Sequence, residues 1–83
     1  MKDNEKIVER IKELCDEKGY SFYQLSNNSG VSLSTLMHII DFSTKSPRLE
    51  TIAKLCIGFE IPLKEFFSSD LFSVIDYETV ERK

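Results

Sequence analysis

The chain has 83 residues, 41% of them hydrophobic, and a formal net charge of −3. That length makes one domain with no room for a deep catalytic cleft, and the apolar content is ordinary for a folded domain and too high for disorder. No apolar run approaches the roughly 20 residues that span a bilayer, and no basic-then-apolar signal peptide opens the sequence, so the expected location is cytoplasmic.

Ile7, Val8, Ile11, Leu14 and Cys15 recur at helical spacing, with Glu9, Arg10, Lys12 and Glu13 between them. This predicts an amphipathic first helix over residues 4–18. Asn4 or Asp3 caps its start, and Gly19 ends it in the left-handed conformation. Ser21-Phe22-Tyr23-Gln24 reads as a capping box opening a second helix, which runs to Asn28 or Ser29 with Leu25 inward. Gly30 suits a φ > 0 turn, and Ser32 suits the N-cap of a third helix. Leu36, Ile39 and Ile40 form the inner stripe of that helix; Leu33, Ser34, Met37, His38 and Asp41 face outward.

Residues 42–46 form a loop closed by Pro47, a residue that favours the first helical position. The fourth helix carries Leu49, Ile52, Ala53, Leu55, Cys56 and Phe59, with Glu50 placed to suit the helix dipole. Pro62 opens a short fifth helix with Leu63, Phe66 and Phe67. Strand-like alternation is absent, so the fold class is all-α with five helices. Residues 1–67 make the domain. Residues 68–83 mix Leu71, Phe72, Val74, Ile75, Tyr77 and Val80 with charges. They form either a tail with its aromatics tucked onto the core or a dimerisation segment, since exposed apolar surface usually has a partner.

The stretch from Leu25 to Leu36 carries the functional signal. A tight helix-turn-helix with glycine at the turn is the geometry that sets a second helix into the DNA major groove. The outward residues of helix three are then the base contacts. Leu33 suits a thymine methyl, Ser34 donates or accepts, Met37 offers apolar contact and His38 reaches a purine edge. None of them is Arg, Lys, Asn or Gln, so bidentate readout is absent and specificity is modest or leans on DNA shape. Phosphate contacts come from helix N-termini and the loop: Tyr23 and Gln24 at helix two; Ser43, Thr44, Lys45 and Arg48 before helix four. Lys45 and Arg48 are the only Lys or Arg between Lys18 and Lys54.

The acidic balance lowers nonspecific DNA affinity, although charge distribution matters more than its sum. Cys15 and Cys56 sit in helical apolar patterns and read as small buried hydrophobes, with no disulfide between them. Metal-ligand spacing, a phosphate-cradling glycine loop and a nucleophile–base pair are all missing. No metal, cofactor or small-molecule ligand is expected, and an enzyme is set aside.

In register, Glu17-Lys18-Gly19, Ser21, Leu25, Gly30-Val31-Ser32, Ser34-Thr35-Leu36, Pro47, Leu49-Glu50-Thr51-Ile52 and Ile61 to Phe67 resemble the lambda-repressor/Cro (XRE-type) helix-turn-helix domain. The resemblance covers residues 7–67. It implies a compact five-helix DNA-binding domain of bacterial and phage transcription regulators, often a homodimer on a near-palindromic operator. Three departures stand out. The family often pairs an Arg at the place of Cys15 with a Glu at the place of Ile40. Here both are apolar, a concerted swap that predicts contact between them. Phe42 and Glu60 stand where glycines are common, which predicts rearranged loops, because keeping φ > 0 costs each about 1 kcal/mol. Phe22 replaces a polar residue that often touches phosphate.

Two functions therefore compete. One is a sequence-specific double-stranded DNA-binding regulator. The other is a protein-interaction module on the same fold, favoured by the acidic balance, Asp41, Leu33 and Met37. Fold alone does not separate them.

Overall fold

The computed structural model describes residues 3–44 and 46–72. The chain runs through five α-helices: α1 (Asp3–Lys18), α2 (Phe22–Ser29), α3 (Leu33–Ile40), α4 (Leu49–Phe59) and α5 (Leu63–Phe66). A 3-10 turn follows at Asp70–Phe72, and there is no strand among the described residues. The five-helix, all-α reading holds. Residues 73–83, with Val74, Ile75, Tyr77 and Val80, lie outside the described residues, and so does Lys45.

Each helix gives its apolar stripe to one core. Ile11 and Leu14 of α1, Leu25 of α2, Leu36 of α3, and Leu55 and Phe59 of α4 are all completely buried. Side chains of this size contribute about 1.5–3 kcal/mol each when withdrawn from water, before chain entropy opposes them. Cys15 lies in this core, and the half-buried Ile40 packs against the core cluster. Beyond α5, Phe72 sits edge-on to Phe67, ring centroids 5.0 Å apart, and Ser69 Oγ donates to Glu13 Oε1 at 3.4 Å.

Arg10 corrects the amphipathic reading of α1. It is only 7% exposed. Its Nε donates to Phe66 O at 2.7 Å, its Nη2 to Glu65 O at 2.8 Å, and its Nη1 to Glu13 Oε1 at 3.2 Å. The last carbonyls of a helix lack intrahelical partners, and a guanidinium offers five donors in a fixed fork. Arg10 thus caps α5 from α1. Helical periodicity counts a charged residue as outward and has no means of seeing a carbonyl 56 residues away.

The expected loop rearrangement does not occur. Phe42 (φ 65°) and Glu60 (φ 61°) keep the left-handed conformation. At Glu60 the end of α4 shows why. Ile61 N–H donates to Cys56 O at 3.0 Å, the same bond that Tyr20 N–H makes to Cys15 O at 2.9 Å around Gly19 at the end of α1. This six-to-one closure requires the intervening residue to be left-handed. It also delivers Ile61 into the core. The hydrogen bond and the burial together outweigh strain of about 1–2 kcal/mol.

Pro47 also differs from expectation. α4 begins at Leu49, with Arg48 as an extended N-cap (φ −71°, ψ 150°), so Pro47 lies one residue before the cap. There it stands in the N′ position, five residues before the buried Ile52, which is the spacing of a hydrophobic staple.

Candidate nucleic-acid interface

The turn between α2 and α3 is built from short polar side chains. Gly30 (φ 78°) ends α2, and its N–H donates to Ser26 O at 3.0 Å. Ser26 Oγ donates to Val31 O at 2.6 Å. Ser29 Oγ donates to Ser26 O at 3.3 Å and accepts from Val31 N–H at 3.1 Å. Ser26 and Ser29 are both buried, so these bonds satisfy groups that would otherwise be costly to desolvate. α4 seats directly on this turn: a Cβ built on Gly58 would lie 2.7 Å from Ser29 Cβ. The angle between α2 and α3 is therefore held by packing as well as by hydrogen bonds. Sequence reasoning missed Ser26, Ser29 and Gly58, because small residues carry no periodic signal.

α3 starts cleanly. Ser32 Oγ accepts from Thr35 N–H at 3.1 Å and donates to Thr35 Oγ1 at 2.9 Å. Leu36 and Ile39 anchor its inner side. Outward, Leu33 is 39% exposed, Ser34, Thr35 and His38 are exposed, and Met37 is half-buried. Leu33 and Met37 are one turn apart, as are Ser34 and His38, so an apolar and a polar ridge lie side by side.

The expected phosphate-contact residues fall in three places. Tyr23 and Gln24 are exposed in the first turn of α2, where Ser21 Oγ already accepts from Gln24 N–H at 3.1 Å. Ser43 is exposed, and its N–H donates to Asp41 Oδ1 at 2.9 Å. Hydrogen bonds from the Ser43 side chain and amide hold the Asp41 carboxyl below its ordinary range, with His38 adding less. α3 therefore ends on a carboxylate. Thr44 is half-buried and donates its N–H to His38 O at 3.1 Å. Arg48 is exposed at the start of α4, which has no side-chain cap, so its first amides point outward unclaimed by a cap. Lys45 lies outside the described residues.

This arrangement presents one short, well-capped helix on a rigid turn, with uncapped amides nearby. The sequence profile of the Cro/C1-type HTH DNA-binding domain matches residues 10–70. The chain belongs to this family. No curated protein and no solved structure matches it. As a Cro/C1-type domain, the chain has α2 and α3 as its helix-turn-helix and DNA as its partner. The matched span starts at Arg10, the residue that caps α5, and takes in every helix from α2 to α5. No helix among the described residues is long and apolar enough to cross a membrane. No cluster of three metal-ligating side chains occurs among them either.

Proposed function

We propose that this domain is a small cytoplasmic transcription regulator of bacterial or phage type, binding double-stranded DNA sequence-specifically as a homodimer. Residues 32–41 enter the major groove. The observation that carries this reading is the exposed outer side of α3 on a turn whose buried polar groups are satisfied. Leu33, Ser34, Met37 and His38 meet base edges, with Leu33 suited to a thymine methyl. Tyr23, Gln24, Ser43, Thr44, Lys45 and Arg48 face the phosphates, Arg48 beside the uncapped amides of α4. The charge of −3 does not oppose this locally. Between Gly19 and Ala53, Lys45 and Arg48 balance Asp41 and Glu50, so the acidic excess lies elsewhere in the chain.

Selection from random-sequence duplex DNA, repeated at several salt concentrations, tests the reading. A regulator enriches a short motif, and log affinity falls linearly with log salt. Arg48→Ala and Lys45→Ala each lower that slope by about one. A protein-interaction role is the second reading, favoured by the exposed Leu33 and Tyr23 and by the Asp41 carboxylate. Flat salt dependence with no enriched motif selects it.

A further inference from the structure

α4 exposes more apolar surface than an isolated domain needs. Leu49 is 62% exposed and Ile57 is 70% exposed. The half-buried Ala53 lies between them. At spacings of four the three form one continuous ridge, set beside the buried face made by Ile52, Leu55, Cys56 and Phe59. The ridge is large, small, large, and reads the same from either end. Glu50 and Lys54 run along its outer flank, their charges 3.7 Å apart.

We propose that this ridge is a self-association surface, on which the α4 of a second copy packs antiparallel about a two-fold axis at Ala53. Reversal sets Leu49 against Ile57 of the second copy at both ends, and the paired alanines let the helices approach closely. A two-fold axis makes one patch serve both copies. It also keeps both charged flanks on the same side of the contact. At about 1.5 Å of rise per residue, Glu50 then lies only ~3 Å along the axis from Lys54 of the second copy. Opposite charges meet twice, against one Lys54–Lys54 approach at the axis with the same offset. Three side chains per copy cover well under the ~1,200 Å² typical of a stable interface, so the dimer is weak and exchanges with monomer. The inference rests on the homodimer reading above and is independent of what α3 contacts.

Sedimentation of the full chain without DNA, from roughly 10 µM to 1 mM, suits an interface of this size. The expected result is a mass that climbs from 9.6 kDa toward twice that value. Ile57→Lys, changing an exposed residue, stays monomeric throughout with an unchanged circular dichroism spectrum. Glu50→Lys weakens association, and Glu50→Lys combined with Lys54→Glu restores it. If Ile57→Lys dimerises like the wild type, the surface is wrong. If Ile75→Lys abolishes the dimer instead, the homodimer stands but belongs to residues 68–83. A wild-type chain that remains at 9.6 kDa across the range overturns both.

Discussion

Glu60→Gly is expected to stabilise this protein. Glu60 is exposed and left-handed (φ 61°, ψ 41°), and it closes the end of α4. A residue with a Cβ held in this region costs about 1–2 kcal/mol. Glycine relieves that strain but adds about 0.4–1 kcal/mol of freedom to the unfolded chain. The net gain is about 0.5–1 kcal/mol. For a domain of this size each kcal/mol moves the melting midpoint by roughly 4–8 °C, so Tm should rise by ~2–8 °C. Glu60→Ala is the decisive control. It removes the same side chain but keeps the Cβ, so its Tm should stay near that of the wild type. Thermal unfolding followed by circular dichroism reads both. A glycine variant no more stable than the alanine variant would refute the strain argument and show that the Ile61 closure tolerates any residue at this position.

Two further outcomes follow from buried groups. Arg10→Met should destabilise the fold by about 2 kcal/mol, because Phe66 O and Glu65 O lose a charged donor in a buried site. Guanidinium denaturation measures this, and a loss below about 0.5 kcal/mol would mean water replaces the guanidinium. Burial raises both cysteine thiols above their ordinary 9.0; Asp16 adds to the effect at Cys15, and Arg10 opposes it at Cys56. The folded state therefore prefers the neutral thiols, and stability should fall as pH rises above 9.0. At pH 8 neither thiol should react with a disulfide reagent until the protein is unfolded, and fast reaction of the native protein would contradict the burial.

Helix order, the caps at Ser21 and Ser32, the left-handed turn at Gly30 and most of the core were legible along the chain. Each depends on residues within about one helical turn of one another, where periodicity and capping chemistry act directly. The outward set on α3 was legible for the same reason, since exposing Leu33, Ser34 and His38 follows from burying Leu36 and Ile39. Three features were not. Phe42 and Glu60 were expected to break the family's turns; at Glu60, local strain was weighed without the Ile61 hydrogen bond and burial that oppose it. Arg10 was counted as solvated, although its partners lie at the far end of the domain. Ser29 and Gly58 gave no signal singly, and matter only where α2 meets α4.

The order of residues by itself determined that this is a helix-turn-helix domain and which face of α3 looks outward. Only the tertiary structure decided which exceptions the fold tolerates, where its one buried guanidinium among the described residues goes, and that α4 leaves a symmetric apolar ridge uncovered. The division is physical: caps and periodic stripes are satisfied within a turn or two of helix, whereas strain, buried charge and exposed ridges are settled by neighbours that the sequence keeps far apart.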